Sequence, residues 1–249
     1  MVAQVRISSS LIVLQLYMSI DSPNLGINLS FVRLLLSKGC SVVIADLALR
    51  PEAESLLTQH PANSSPSCHF HRTNVSSWPN LQTLWDFSAK AFPKGIDIVV
   101  AGAGVFEPRS SAFWEAPRTE TNPETASRDD ANGEPGHYMQ LDVNLASPIR
   151  LAQMAVGHWT QQKQRGCLIF VGSIAGYNAT VASPLYHASK FGLLGFARSL
   201  GDLKEAAGIR VSYMAPAQVR VCSSPPSLIT ARPRRRDIHA NFIIRRPCG

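Results

Sequence analysis

The stretch Gly166-Cys-Leu-Ile-Phe-Val171 decides the fold class of this 249-residue chain, because an unbroken apolar run follows its glycine. A short apolar run without polar alternation is typical of a strand that is buried on both faces of a sheet. Three other stretches have the same length and are also rich in apolar residues, at residues 41–46, 96–101 and 208–213. We therefore predict that these strands lie side by side in one parallel sheet.

Helical patterns separate the predicted strands. They cover residues 27–38, which Gly39 closes as a C-terminal cap, and residues 141–162 and 185–207. A further apolar helical face is formed by Leu81, Leu84, Trp85 and Ala89. With a buried first strand within residues 11–18, the chain alternates between strands and helices. This alternation predicts an α/β fold built from stacked β-α-β units.

Two stretches depart from the alternation. Residues 107–137 are rich in Pro, Ser, Thr, Asp, Glu and Gly, and they predict a long surface loop because the pattern resumes after them. Residues 223–249 contain clusters of Pro and Arg and predict a poorly ordered basic tail. The tail carries six arginines and one aspartate, which account for most of the formal net charge of +7. The prediction is one domain over residues 1–222, followed by this tail.

The composition excludes several classes of protein. Charged residues make up 16% of the chain and apolar residues 45%, which argues against a disordered protein and against a coiled coil. No apolar run approaches the roughly 20 residues that a membrane-spanning helix needs. The five cysteines are scattered without C-x-x-C spacing, which argues against a zinc site and against a disulfide framework. We therefore expect a cytoplasmic protein without a metal site.

Polar residues that suit proton transfer follow the strand at residues 166–171. Ser173 comes shortly after it, and Tyr186-His-Ala-Ser-Lys190 opens the next predicted helix. The i, i+4 spacing places Tyr186 and Lys190 on one helical face. The ordinary pKa of tyrosine is about 10, and a lysine cation nearby favours the phenolate and lowers that pKa. The three residues predict a proton-transfer site for hydride chemistry, in which the Ser173 hydroxyl orients a substrate alcohol or carbonyl.

Asn144, in Leu141-Asp-Val-Asn-Leu145 on the preceding predicted helix, completes a set that resembles the short-chain dehydrogenase/reductase family. The likeness covers about residues 20–222 and includes Ala101-Gly-Ala-Gly104, where the family often has Asn-Asn-Ala-Gly. It implies a Rossmann-like doubly wound sheet in which Tyr186 is the base. Lys190 then lowers the pKa of Tyr186 and holds the ribose, Ser173 binds the reacting oxygen, and Asn144 supports a proton-relay water.

Each member of the set also has a structural interpretation. Tyr-x-x-x-Lys occurs on solvated helix faces, Ser173 could cap the turn before Ile174, and Asn144 could satisfy backbone groups. The joint spacing favours the catalytic interpretation.

Asp46 ends a predicted strand, where its carboxylate could accept hydrogen bonds from both adenosine ribose hydroxyls and repel a 2′-phosphate. This position predicts NAD in preference to NADP, although Asp46 could also cap the following helix and Arg50 is close in sequence. Asn74, in Thr73-Asn-Val75, stands where the family commonly has an aspartate that binds the adenine amine. The cofactor-binding set that the resemblance implies is Gly26, Ile27, Asp46, Asn74, Ala101, Gly102, Tyr186, Lys190, Pro216 and Val219.

The expected phosphate-binding loop departs from the family pattern. The family has Thr-Gly-x-x-x-Gly-x-Gly, whereas here Ser22 and Asn28 replace the first and last glycines and only Gly26 is kept. The ending Gly26-Ile-Asn28 is similar to a variant in fungal dehydrogenases that resemble 15-hydroxyprostaglandin dehydrogenase. A Cβ at Ser22 would restrict the turn, and Pro23 removes one backbone donor.

The chain departs from the family again after Pro216. Ala217 replaces a glycine, and Val221 replaces a threonine that would hold the nicotinamide carboxamide. Beyond Cys222 nothing resembles the family, so the C-terminal part of the family fold is expected to be missing. In the family that part often builds the oligomer interface. The sequence therefore predicts neither that the protein forms a homo-oligomer nor that it does not.

The sequence predicts an NAD(P)-dependent oxidoreductase that interconverts a secondary alcohol and a ketone. The alternative is an impaired or inactive dehydrogenase-like protein, which should bind nicotinamide cofactors weakly or not at all. A nucleic-acid partner for the tail is disfavoured, because its clustered arginines lack interleaved aromatic residues. No membrane partner is expected. Phe113, Trp114, His137 and Tyr177 either line an apolar substrate pocket or pack the long loop onto the body.

Overall fold

The computed structural model describes residues 10–14 and 27–217. Within these residues, six strands form one sheet, and they are β1 (Ser10–Leu14), β2 (Ser41–Asp46), β3 (Cys68–Arg72), β4 (Ile98–Ala101), β5 (Gly166–Val171) and β6 (Ile209–Met214). Their order is β3-β2-β1-β4-β5-β6, and every neighbouring pair is parallel. The chain therefore winds outward from β1 in both directions, and the predicted Rossmann-like doubly wound fold is confirmed.

Helices cover the two faces of the sheet. They are α1 (Ile27–Ser37), α2 (Pro51–Gln59), α3 (Trp78–Ala91), α4 (Met139–Leu141), α5 (Ser147–Gln161), α6 (Pro184–Ser199) and α7 (Leu203–Ala207). Val43 and Val99 belong to the core cluster beneath α3, α5 and α6, whereas Ile44 and Val100 belong to the cluster beneath α1 and α2. Successive strand residues thus point into opposite cores, which explains why the central strands are apolar at nearly every position.

The predicted end of the first helix is confirmed at Gly39. This glycine has a φ of +83°, which a side chain would disfavour, and its N–H donates to the carbonyl oxygen of Leu36 at 3.0 Å. The N–H of Cys40 reaches back to the carbonyl oxygen of Leu35 at 3.0 Å. These two bonds satisfy carbonyls at the end of the helix and turn the chain directly into β2.

Several predicted boundaries shift. β4 begins at Ile98, two residues later than expected, and β6 follows Gly208, whose φ of +69° makes it the cap of α7 rather than a strand residue. The helix predicted over residues 185–207 is interrupted between Ser199 and Leu203, around the poor helix former Gly201. Residues 15–18 of the predicted first strand lie outside the described residues.

The pattern of apolar residues in the sequence did not predict α2 or β3. The sequence of β3 is Cys-His-Phe-His-Arg, and most of its residues are only partly buried. β3 pairs only with β2 among the described strands, so it lies at an edge of the sheet. Edge strands of this kind do not need the continuous apolar run by which the central strands were found.

The predicted long loop is present between β4 and α4. It contains a single 3₁₀ turn, Arg109–Ser111, and an isolated bridge between Thr119 and Asn122. In the described part of the chain, no helix has the length and apolar character required to cross a membrane. The predicted boundary at residue 222 and the basic tail lie outside the described residues and stay predictions.

Candidate active site

The carboxyl ends of the central strands bring the predicted catalytic residues together. Ser173 follows β5, Tyr186 and Lys190 lie in the first two turns of α6, and Asn144 lies in a π-helical turn, Asp142–Ala146, that joins α4 to α5. The Ser173 side chain is hydrogen-bonded to Tyr186, and the Lys190 ammonium lies 5.6 Å from the centre of the Tyr186 ring. Ligands of open parallel sheets bind at this edge.

Ser173 caps a turn and also interacts with Tyr186. Its Oγ accepts a hydrogen bond from the N–H of Ala175 at 3.1 Å and so caps the 3₁₀ turn Ile174–Gly176. The same side chain forms the hydrogen bond to Tyr186. The cap fixes the position of the hydroxyl, and a hydroxyl fixed beside Tyr186 can orient an oxygen atom of a ligand.

Burial dominates the titration of Tyr186. Desolvation raises its pKa, and the hydrogen bond from Ser173 acts in the opposite direction. Burial therefore outweighs the Ser173 hydrogen bond in this structure, because the phenolate would lose more hydration than Ser173 restores. Whether the Lys190 cation favours the phenolate during a reaction stays a prediction.

Lys190 is almost fully enclosed. Its side chain is 4% exposed and its Nζ donates to the carbonyl oxygen of Val171 at 3.2 Å. Desolvation lowers the pKa of Lys190 to about 8. An ammonium group with a pKa near 8 is still largely charged at neutral pH but gives up its proton far more readily than a surface lysine.

Asn144 is completely buried, and its amide is occupied by backbone groups. Its Oδ1 accepts from the N–H of Val105 at 2.8 Å, and its Nδ2 donates to the carbonyl oxygen of Val105 at 2.8 Å and to Ser189 Oγ at 3.2 Å. The side chain thus satisfies backbone groups of Val105, and the support of a proton-relay water by Asn144 stays a prediction. The π-helical turn that carries Asn144 is a rare element that often occurs at functional sites.

Gly104 lies next to the side chains of Asn144 and Lys190. A Cβ added at Gly104 would lie 3.6 Å from both Asn144 Oδ1 and Lys190 Nζ. The backbone of the Ala101-Gly-Ala-Gly104 segment therefore lies next to the candidate catalytic residues.

The sequence analysis missed Tyr213. This residue was counted only as part of a strand, but its hydroxyl lies 3.2 Å from the N–H of Ser173, 3.3 Å from the carbonyl oxygen of Ser173 and 3.4 Å from that of Lys190. Its ring occupies the space that a Cβ at Gly172 would need. The glycine before Ser173 is the sequence signal that a bulky side chain packs there.

The predicted adenosine side of the site lies at the ends of β2 and β3. Asp46 is 2% exposed, and its Oδ1 accepts from the N–H of the adjacent Leu47 at 2.6 Å. The N-cap of α2 is Arg50, so this bond is not the predicted helix cap. Asn74 is exposed, and its Oδ1 accepts from both the N–H and the Oγ of Ser76 at 3.1 and 2.8 Å. Both side chains lie near the strand ends where the resemblance places them. Each already accepts hydrogen bonds from neighbouring residues of the chain, so part of its ability to accept bonds from a cofactor is taken up.

The remaining predicted cofactor residues fall into two groups. Ala101 and Gly102 end and follow β4, Ile27 begins α1, and the carbonyl oxygen of Pro216 accepts from the N–H of Ile174 at 3.1 Å. They lie around the carboxyl edge of the sheet, where ligands of open parallel sheets bind. Gly26, Val219, Ser22, Pro23 and Val221 lie outside the described residues.

The described residues contain no group of three or more His, Cys, Asp or Glu side chains placed to hold a metal ion. Burial raises the pKa of the Cys68 thiol to about 11, so this cysteine is a poor nucleophile and a poor metal ligand at neutral pH.

The aromatic residues of the long loop do not enter the core. Phe113 and Trp114 are each about half exposed, and their rings pack edge to face with centres 4.8 Å apart. Trp114 Nε1 donates to the carbonyl oxygen of Val181 at 2.8 Å. Nearer the site, the half-exposed ring of Phe106 lies 4.8 Å from the Tyr186 ring. The loop is thus held across the segment before α6, with apolar side chains left at the surface beside Tyr186.

The short-chain dehydrogenase family model matches residues 23–225. The chain therefore belongs to the short-chain dehydrogenase family, as the resemblance predicted. The specific likeness to relatives of 15-hydroxyprostaglandin dehydrogenase stays a prediction.

Individual relatives agree with the family assignment. The short-chain dehydrogenase/reductase ascJ of Acremonium egyptiacum is 32% identical over 214 residues, which cover 83% of this chain and 64% of the relative. The cis-4-hydroxycyclohexanecarboxylate dehydrogenase of Sinomonas cyclohexanicum is 26% identical over 224 residues, which cover 90% of this chain and 78% of the relative. The chain spans less than two thirds of ascJ and 62% of the similar protein prx7 of Penicillium rubens.

Solved structures share the fold. A short-chain dehydrogenase/reductase from Burkholderia phymatum in complex with NAD has a TM-score of 0.60 at 20% identity, with 84% of this chain and 66% of the other covered. A likeness at this level of identity concerns the fold alone.

Proposed function

We propose that the protein is an NAD(P)-dependent oxidoreductase that interconverts a secondary alcohol and a ketone. The observation that carries the proposal is the contact between the Ser173 hydroxyl and Tyr186, with the buried ammonium of Lys190 behind the same ring. Hydroxyl, phenol and ammonium groups in this arrangement can bind an alcohol oxygen and remove its proton. Membership of the short-chain dehydrogenase family supports the same chemistry.

In this proposal each residue acts on a stated atom. The Ser173 hydroxyl binds the substrate oxygen and aims it at Tyr186, whose phenol oxygen takes the alcohol proton or returns it to the ketone. The Lys190 ammonium stabilises the phenolate and binds ribose hydroxyls, and Asn144 fixes the backbone at Val105 beside the site. A bound nicotinamide cofactor would supply the hydride transfer.

We further propose NAD as the preferred cofactor, since a buried carboxylate at Asp46 disfavours a 2′-phosphate at the end of β2. The similarity to the cis-4-hydroxycyclohexanecarboxylate dehydrogenase of Sinomonas cyclohexanicum supports the proposed substrate class. Ala101, Gly102, Ile27, Asn74 and Pro216 would complete the cofactor site. A small-molecule substrate and a cytoplasmic location are part of the proposal.

The first test is a titration of the purified protein with NADH and NADPH, followed by nicotinamide fluorescence. Saturable binding, tighter for NADH, is the expected result and would justify a screen of secondary alcohols and ketones. Absence of binding to both nucleotides would favour the inactive relative instead.

The second test compares Tyr186→Phe with Tyr138→Phe. The first variant loses the proton-carrying hydroxyl, and turnover should fall by at least about a hundredfold, as expected for loss of a general acid-base group. Tyr138 is 40% exposed, and its variant should keep its turnover. Equal turnover of wild type and Tyr186→Phe would refute the proposed mechanism.

A further inference from the structure

Glu107 opens the long loop at residues 107–137, and its carboxylate reaches the first turn of α6. Oε2 accepts a hydrogen bond from the N–H of Tyr186 at 2.8 Å, and Oε1 accepts from the N–H of Leu185 at 3.4 Å. Oε1 also accepts from the N–H of Phe113 at 3.1 Å, within the loop itself. A single carboxylate thus joins the start of the loop to the backbone of the candidate base.

The first turn of α6 needs such a partner. N–H groups in the first turn of a helix have no acceptor inside the helix and are usually satisfied by a side chain at the position before it. Here that position is Ser183, which makes no capping hydrogen bond because its Oγ lies 3.2 Å from His187 Nδ1. Pro184 has no N–H, so the N–H groups of Leu185 and Tyr186 are the first that require acceptors, and Glu107 provides both.

The backbone at Glu107 is held in an unusual conformation. Its φ of +31° lies in the region that residues with a side chain rarely adopt. The preceding residue, Phe106, places its ring against the Tyr186 ring at a centre distance of 4.8 Å and an angle of 72°. Two successive residues therefore hold Tyr186, one through its backbone and one through its ring. Strain that persists at such a place is typical of a functional constraint.

We infer that Glu107 is a positioning residue: it fixes the first turn of α6 and thereby sets the Tyr186 hydroxyl against Ser173. The inference rests on the proposed function of Tyr186 as the proton carrier. A helix turn without its cap can fray, and a displacement of about 1 Å in a reacting group can lower a rate by up to about a hundredfold. The charge of Glu107 also suits the positive end of the helix dipole.

The first measurement does not depend on turnover. In protein labelled with ¹⁵N-tyrosine, the chain gives five tyrosine amide signals, and Tyr186→Phe identifies the one from Tyr186. We expect Glu107→Ala to raise the hydrogen-exchange rate of the Tyr186 amide by about tenfold or more, because the amide loses its acceptor. Glu107→Gln should give an intermediate rate, since its amide oxygen can accept one of the two bonds. Glu120→Ala, at an exposed position of the same loop, should leave the rate unchanged.

The second measurement tests the link to chemistry. With a substrate of the wild type, Glu107→Ala should lower kcat by about tenfold while the KM for the nicotinamide cofactor changes less than about twofold, and Glu107→Gln should recover part of kcat. In the Tyr186→Phe background, Glu107→Ala should cause no further loss, because the residue acts through Tyr186.

Either measurement can overturn the inference. An unchanged exchange rate in a folded Glu107→Ala protein would show that the carboxylate does not protect the turn. Faster exchange with unchanged kcat would show that the cap is structural only. If the wild type turns over no alcohol or ketone, the proposed function fails, while the exchange rates still decide whether Glu107 caps the helix.

Discussion

The side-chain amide of Asn28 donates a hydrogen bond to the carbonyl oxygen of Gly102 at 3.0 Å, across 74 positions of the chain. Asn28 stands where the family pattern has its last glycine, and it is 7% exposed at the start of α1. A Cβ added at Gly102 would collide with the amide of Asn28. The larger residue at one position is therefore accommodated by the absence of a side chain at the other.

Gly102→Ala should destabilise the protein by about 1–3 kcal/mol, because the added methyl group overfills the space beside Asn28. Urea unfolding measures the change. In the double variant with Asn28→Gly, the effect of Gly102→Ala should be much smaller, since the colliding amide is absent. Gly157→Ala is the matched control: nothing lies within 4 Å of its added Cβ, and alanine in a helix should stabilise by about 0.5–1 kcal/mol.

Lys190→Met should stabilise the protein at pH 7, and the gain should shrink as the pH rises. The folded-state pKa of Lys190 is about 8 against an ordinary 10.5, so below pH 8 the folded protein carries a buried charge. Between pH 8 and 10.5 the folded protein releases this proton while the unfolded chain keeps it, and wild-type stability therefore rises with pH. The difference in pKa corresponds to about 3 kcal/mol.

Urea unfolding of wild type and Lys190→Met at pH 7 and pH 10 provides the comparison. The difference between the two proteins isolates Lys190 from other titrating groups. A gap that stays constant with pH would mean that burial does not depress the pKa of Lys190. The exposed control Lys204→Met should show no such trend.

Asp46→Ala should relax the preference for NAD. Loss of the carboxylate removes the acceptor for ribose hydroxyls and the repulsion of a 2′-phosphate, so the ratio of NADPH to NADH affinity should rise by about tenfold. Parallel fluorescence titrations with both nucleotides give the ratio. Asp86→Ala, on the exposed side of α3, should leave the ratio as in the wild type. An unchanged ratio in Asp46→Ala would mean that this carboxylate only caps its turn.

Asp129→Ala should destabilise the helix that carries Asn144. Asp129 is 6% exposed, and its carboxylate accepts from the N–H of Met139 at 3.0 Å and from Ser111 Oγ at 2.9 Å. Removal of this cap should cost about 1–2 kcal/mol in the free energy of unfolding, measured with urea. The neighbouring Asp130→Ala removes only an acceptor for the N–H of Asn132 within an exposed turn and should have less than half the effect.

The helices, strands and site residues that were predicted from the sequence are those marked by a pattern within a short stretch of the chain. Gly39 was predicted as a helix cap because it directly follows an apolar helical pattern. Gly166–Val171 was predicted as a central strand because every residue after its glycine is apolar. Tyr186 and Lys190 were found because one helix carries both at a fixed spacing. The edge strand at residues 68–72 lacks such a signal, since most of its residues are only partly buried and polar residues are tolerated there.

The residues that were missed act over long separations in the chain. Glu107 meets the N–H of Tyr186 across 79 positions, and Tyr213 meets Ser173 across 40. Neither contact follows from periodicity or from a capping motif. The effect of burial on the pKa of Tyr186 was missed for a similar reason, because burial is a property of the assembled site and not of the Tyr-x-x-x-Lys spacing.

The position of β1 has a consequence for how this chain folds. β1 pairs with β2 on one side, from Ser10 opposite Ser41, and with β4 on the other, from Leu11 opposite Ile98. β1, the first of the described strands in chain order, thus joins two half-sheets, and its ladder with β4 cannot close until residue 101 has left the ribosome. A chain without this strand would keep two sheet fragments with no backbone hydrogen bonds between them. Formation of the β1·β4 ladder is a contact of high sequence separation, and it is the step at which folding should be slowest and most exposed to misassembly.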